Sequence, residues 1–202
     1  MTSNEERGRW GPILRWVERV VLAGLIVFAA YRLGPQLGAW VGVGPDLGKA
    51  PVYTLTTLDG ETISSEDLLG DVVILNFWAT WCPPCRLEMP SLQALHEDMA
   101  ADGVTVLGLA TDVGSGQAVR EFVAERELTY AIGRATYDQR RSFGGIRGIP
   151  TTFVIDRQGI IRHRVVGYFA PPALRAATRR LIEEEVVSPP RASLLPSPAP
   201  VP

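Results

Sequence analysis

Two mainly apolar runs, at residues 72–78 and 104–110, stand out in the hydrophobic pattern of the chain. Each has seven residues, a length typical of a strand, and its apolar residues do not alternate regularly with polar ones. Such runs indicate strands that are buried on both faces of a sheet.

Shorter apolar segments predict further strands at 52–56, 62–63, 128–132, 151–156 and 160–166. The turn residues Asp59 and Gly60 join the first two into a hairpin, and the turn at 156–159 joins the last two. Between these hairpins, Ser65 is placed to cap a short helical turn over 66–69, which Gly70 would end.

Helical periodicity predicts helices at 117–126, 137–143 and 173–186, and another directly after Cys85. In that last helix Glu88, Leu92, Leu95 and Met99 share one face, and Pro90 is expected to kink it. Strands that alternate with helices and end in a hairpin and a helix predict a mixed α/β sheet covered on both faces.

The N-terminal segment 1–33 contains an uncharged stretch between Arg19 and Arg32. Its twelve residues, 20–31, would rise only about 18 Å as a helix, which suits a signal peptide, yet no small-residue cleavage site follows. If it is extended back through Trp16, the segment is expected to form an uncleaved membrane anchor. The alternative interpretation is an amphipathic or buried N-terminal helix. The arginine excess before residue 20 places the body of the protein outside the cytoplasm.

The rest of the chain divides into a Gly/Pro-rich linker at 34–50, a folded domain at 51–187 and a proline-rich tail at 188–202. The tail is nearly uncharged and is expected to be disordered. The net charge is −2 and the arginines are scattered, so the sequence gives no sign of nucleic-acid binding.

The only two cysteines stand at 82 and 85, in the segment WCPPC just behind the first apolar run. Between a buried strand and a helix, this C-x-x-C spacing is typical of a redox-active dithiol. Cys82 is expected at the helix N-terminus, where free backbone N–H groups and the helix dipole favour a thiolate. Because Pro83 and Pro84 lack an N–H, Cys85 is expected to supply the first backbone donor.

Three other uses of the cysteine pair have less support. A structural disulfide over so short a loop would constrain the unfolded chain little. A zinc site needs four ligands, and neither His96 nor His163 stands at a zinc-ligand spacing. Nothing else in the sequence supports copper delivery, so no metal and no cofactor is predicted.

Two segments resemble the motifs of membrane-anchored thioredoxin-like disulfide reductases of the TlpA/ResA type. The first is NFWATWCPPCRLEMP at 76–90, and the second is GIPTTFVID at 148–156. The resemblance covers about residues 46–186. It implies a thioredoxin-like fold, a central mixed sheet with helices on both faces.

The resemblance also implies residues that meet the substrate. Pro150 is expected to follow a cis peptide bond and to lie against the dithiol, which would turn the backbone of Ile149 toward the substrate. Apart from the resemblance, Trp81 is expected from its position beside Cys82 to shield the dithiol and to contact the substrate.

A proton acceptor is implied as well. Asn76 occupies the place of the buried aspartate of thioredoxin and cannot titrate. In the TlpA/ResA pattern Glu88 fills this gap, and partial burial would raise its pKa and suit it to take the proton of Cys85. The alternative is a first-turn glutamate that only favours the helix dipole.

The expected function is therefore disulfide reduction in an extracytoplasmic protein, with attack by Cys82 and resolution by Cys85. By resemblance, an integral-membrane thiol protein supplies the electrons, and family substrates include apocytochrome c. A thiol oxidase of the same fold and a non-catalytic dithiol metallochaperone stay open. A peroxidase of the related peroxiredoxin family is disfavoured, because Ala79 stands where that family needs Thr or Ser.

Overall fold

The computed structural model describes residues 19–24, 47–114 and 116–187, except for the side chains of residues 185–187. Residues 19–24 are helical and exposed. Over these ranges, no helix is both long and apolar enough to span a membrane. Most of the predicted anchor and linker and all of the predicted tail lie outside the described residues, so those boundaries stay predictions.

Seven strands form two sheets in the part of the chain that the structure describes. In chain order they are β1 (Thr54–Thr56), β2 (Thr62–Ser64), β3 (Val72–Trp78), β4 (Val104–Ala110), β5 (Ala131–Arg134), β6 (Thr151–Ile155) and β7 (Ile161–Val166). The first two strands form an antiparallel pair, and the other five lie in the order β5-β4-β3-β6-β7. Strands β3, β4 and β5 run parallel, whereas β6 is antiparallel to both β3 and β7. Both predicted hairpins are confirmed.

In the described residues from 47 onward, the α-helices are α1 (Pro83–Met99), α2 (Gln117–Glu125), α3 (Tyr137–Ser142) and α4 (Pro171–Val187), and a short 3-10 helix follows α1 at Ala100–Asp102. Alternate side chains of β3 point to opposite faces of the central sheet. Ile74 and Trp78 pack in one core with α1, α2 and α4, whereas Leu75 and Phe77 pack in a second core with Phe143. The predicted mixed α/β sheet with apolar cores on both faces is confirmed.

Two local predictions are wrong. The fifth strand begins at Ala131 rather than at residue 128, because Leu128 caps helix α2 by donating its N–H to the carbonyl of Val123 (3.2 Å). The predicted helical turn at 66–69 is a set of hydrogen-bonded turns. There the Ser64 N–H donates to the Asp67 carboxylate (3.1 Å), so local side-chain bonds compete with a helix.

Candidate active site

The two cysteines form a disulfide at the N-terminus of α1, directly after the loop that leaves β3. Cys82 is the N-cap residue, with an extended backbone, and its Sγ accepts the N–H of Cys85 at 3.3 Å. Because two prolines open the helix, this N–H is the first one available to the sulfur, as the sequence predicts. After reduction the same N–H and the helix dipole would favour a Cys82 thiolate.

Both cysteines are buried, at 3% and 1% exposure for Cys82 and Cys85. Trp81, the residue before Cys82, is 68% exposed, and Leu87, two residues after Cys85, is exposed as well. Large exposed apolar side chains beside a buried disulfide fit contact with a protein rather than with a small polar molecule.

The segment before β6 provides the second wall of the site. The peptide bond between Ile149 and Pro150 is cis, as the resemblance implies. The Thr151 hydroxyl donates to the carbonyl of Gly148 (2.7 Å), and the Gly167 N–H donates to the carbonyl of Pro150 (2.7 Å). Neither the N–H nor the C=O of Ile149 has a hydrogen-bond partner among the described residues, so both can pair with the main chain of a bound peptide.

Glu88 lies on the inner face of α1 and is completely buried. It follows Cys85 by three residues, a spacing that places two Cβ atoms about 5–6 Å apart on a helix. Its Oε1 accepts the hydroxyl of Thr152 at 2.9 Å, and that hydroxyl in turn accepts the Asn76 side-chain N–H at 2.9 Å. Oε2 has no hydrogen-bond partner in the described part of the chain.

Burial raises the pKa of Glu88 from 4.5 to about 7. The Thr152 hydroxyl and the dipole of the Phe169 backbone N–H act in the opposite direction, but burial outweighs them. A carboxylate with a pKa near neutrality is well matched to proton transfer at physiological pH. A glutamate that served only the helix dipole would gain nothing from complete burial.

Sheet pairing brings together two of these groups, Asn76 and Thr152. Asn76 of β3 lies opposite Thr152 of β6, so both side chains point to the face covered by α1. Sequence reasoning assigns no role to Thr152, although the residue lies in the second motif. Its role depends on the antiparallel register that sets Thr152 opposite Asn76, 76 residues earlier in the chain. Local sequence periodicity carries no information about that register.

The other predicted residues occupy separate places. Trp81 lies at the surface beside the disulfide, whereas Trp78 is buried in the core behind it. His163 is buried in β7, and burial lowers its pKa. In the described ranges no group of three or more His, Cys, Asp or Glu side chains could hold a metal ion.

Comparison with known proteins assigns this dithiol site to a family. The model of the AhpC/TSA family matches residues 48–164. The chain belongs to that family. The thioredoxin-like protein YneN of Bacillus subtilis is 33% identical over 157 residues, which cover 76% of this chain and 90% of YneN.

Two further relatives agree on the chemistry. The thiol-disulfide oxidoreductase ResA of Oceanobacillus iheyensis is 36% identical over 170 residues, covering 82% of this chain and 86% of ResA. The crystal structure of a thiol:disulfide interchange protein of the thioredoxin family from Chlorobium tepidum is 34% identical, with a TM-score of 0.63. The match covers 67% of this chain and 96% of the Chlorobium tepidum chain. The predicted thioredoxin-like fold and the predicted class, a thiol-disulfide oxidoreductase, are confirmed.

Proposed function

We propose that this protein reduces disulfides of extracytoplasmic proteins through Cys82 and Cys85. The observation that carries the proposal is a completely buried carboxylate, Glu88, on the same helix face as the second cysteine. A reductase must deprotonate a buried thiol in order to release its substrate, and this carboxylate is proposed as the acceptor of that proton.

The reaction conserves electrons in two exchange steps. The Cys82 thiolate attacks a substrate disulfide, forms a mixed disulfide and releases one substrate thiolate. Cys85 then passes its proton to Glu88 and attacks the Cys82 sulfur, which releases the second substrate thiolate. Two electrons have moved to the substrate, the Cys82–Cys85 disulfide has formed, and the Glu88 proton leaves with a released thiolate or to solvent.

The substrate is proposed to lie between Trp81 and the segment at Ile149 and Pro150. The free main-chain groups of Ile149 support this, because they can pair with an extended peptide. Each turnover leaves the protein oxidised, so it needs an electron donor. An integral-membrane thiol protein is proposed as that donor, and apocytochrome c as one substrate, both from the TlpA/ResA resemblance.

The protein is proposed to be anchored by residues 1–33 with its domain outside the cytoplasm, in the periplasm or its equivalent. The arginine excess before the uncharged stretch supports this orientation. A reporter enzyme fused after Val187 is expected to be active outside the cytoplasm and to sediment with membranes. Activity confined to the cytoplasm would contradict both the anchor and the compartment.

The reduction potential of the Cys82–Cys85 pair separates a reductase from an oxidase of the same fold. A reductase is expected at or below about −200 mV, measured by equilibration with glutathione or dithiothreitol, whereas a strong oxidase lies near about −120 mV. Reduction of insulin by the reduced protein provides the activity control. Stoichiometric copper binding without insulin reduction would support the metallochaperone instead.

A further inference from the structure

An open cleft with a volume of about 190 Å³ is lined in part by Trp81, the residue before Cys82. Its walls come from separate parts of the chain: Trp81, Thr111, Arg140 and the segment 146–149. The cleft therefore extends from the residue beside Cys82 to the free main-chain groups of Ile149. A peptide that contacts both the disulfide and the main chain of Ile149 can extend along it.

Two arginines line this cleft, Arg140 and Arg147. Neither makes an ion pair or a side-chain hydrogen bond within the described ranges, and the Nε of Arg140 is buried without a partner. A guanidinium without a carboxylate partner is available for a charge-assisted hydrogen bond to an anion in the cleft. The arrangement favours an anionic acceptor.

The residues that line the cleft include two arginines and no Asp or Glu. Asp112 follows Thr111 in sequence, and its carboxylate accepts the backbone N–H and the hydroxyl of Thr80. These hydrogen bonds leave its negative charge in place, but the two arginines outnumber it. The charge of the cleft therefore favours an acidic ligand.

The position of Arg140 is fixed by the fold. Helix α3 begins with a capping box, in which Thr136 and Gln139 each accept the backbone N–H of the other. The Gln139 side chain also donates to the carbonyl of Thr54 (2.7 Å), which ties the helix to β1. The Ile146 N–H donates to the Arg140 carbonyl (3.0 Å) and holds the next segment beside it. The guanidinium is thus presented by a rigid support.

We infer that this cleft selects protein substrates with an Asp or Glu side chain close to the reactive cysteine. The carboxylate would pair with Arg140 and Arg147 while the adjoining main chain pairs with Ile149. Since the cleft begins at Trp81, next to Cys82, an acidic residue within about three positions of the cysteine can reach it. The inference rests on the proposed function, because it names the substrate class of the same site.

The test uses three disulfide-bonded peptides that differ only in one residue two positions from the cysteine: Glu, Gln or Lys. The full-length reduced protein is expected to reduce the Glu peptide with a kcat/KM roughly 10-fold above that of the Lys peptide at low salt. The difference should shrink in 1 M NaCl, where the screening length is about 3 Å. A small neutral disulfide serves as the reference for basal exchange.

The matched variants are Arg140→Gln, Arg147→Gln and, as the control, Arg141→Gln, which removes an equal charge from α3 outside the cleft. Both cleft variants are expected to lose most of the preference, and the control to keep it. Arg147 is exposed, so its replacement removes no buried contact. Arg147→Glu should favour the Lys peptide, a reversal that a folding defect cannot produce.

Each outcome decides a separate point. Equal rates for the three peptides, or a preference unchanged in Arg140→Gln and Arg147→Gln, would overturn the inference and leave the proposed function standing. No exchange with any peptide or with the neutral disulfide would overturn the proposed function, and the inference with it.

Discussion

Glu88→Gln is expected to slow resolution of the mixed disulfide by about 10- to 1000-fold near neutral pH. The amide keeps the size of the side chain but cannot accept the proton of Cys85. The first attack by Cys82 should change much less, because that thiolate is favoured by the helix N-terminus and by the Cys85 N–H. Stopped-flow measurement of the two steps separates them.

The defect should depend on pH in a defined way. As the pH approaches the ordinary thiol pKa of about 8.5, Cys85 ionises unaided and the loss caused by Glu88→Gln should shrink. Glu97→Gln is the matched control, because Glu97 is an exposed glutamate on the same helix. Wild-type kinetics for Glu88→Gln across pH 5–9 would exclude the carboxylate as the proton acceptor.

The same substitution also tests the raised pKa of about 7 through stability. Between pH 4.5 and 7 the folded protein holds a proton on Glu88 that the unfolded chain has lost, so the free energy of unfolding falls as pH rises through this window. This contribution of the Glu88 proton to the free energy of unfolding is complete below pH 4.5 and fully lost above pH 7. Relative to Glu88→Gln, the oxidised wild type should lose up to about 3 kcal/mol between pH 4 and pH 9.

Urea denaturation of the two oxidised proteins at several pH values measures this difference, because titrating groups shared by both proteins cancel. Curves that run parallel from pH 4 to pH 9 would mean that the pKa of Glu88 is not raised. In that case Glu88 would be ionised throughout the physiological range, and the kinetic effect would need another explanation.

The central strands and the position of the dithiol could be predicted from local sequence. Strands β3 and β4 are long apolar runs, and the dithiol stands where β3 gives way to a helix, so periodicity and motif position agree. The boundary of β5 does not follow in the same way. Leu128 is apolar because it packs against the core beside α2, not because it pairs in a sheet.

The surroundings of the dithiol were only partly accessible to sequence reasoning. Glu88 follows from its spacing after Cys85 and from a family resemblance. Its bond to Thr152 depends on which residue of β6 lies opposite Asn76, and a shift of one position would turn the hydroxyl to the other face. Arg140 and Arg147 meet in one cleft only because α3 and the segment before β6 fold beside Trp81.

Cys85→Ser is expected to stop multiple turnover and to accumulate a covalent complex with substrate. Serine cannot attack the mixed disulfide under these conditions, so the intermediate formed by Cys82 persists. Cys82→Ser should form no such complex at an appreciable rate, because the remaining thiol at position 85 is the more buried and lacks the position at the helix N-cap. Non-reducing electrophoresis measures the amount of complex.

The most direct measurement of the central claim is peptide mapping of the trapped complex by mass spectrometry, together with alkylation rates of both cysteines in the reduced wild-type protein. The substrate should be linked to Cys82, and Cys82 should be alkylated well below pH 8.5 while Cys85 reacts slowly. Equal alkylation of the two cysteines, or a stable complex formed through Cys85 in the Cys82→Ser variant, would contradict the assignment.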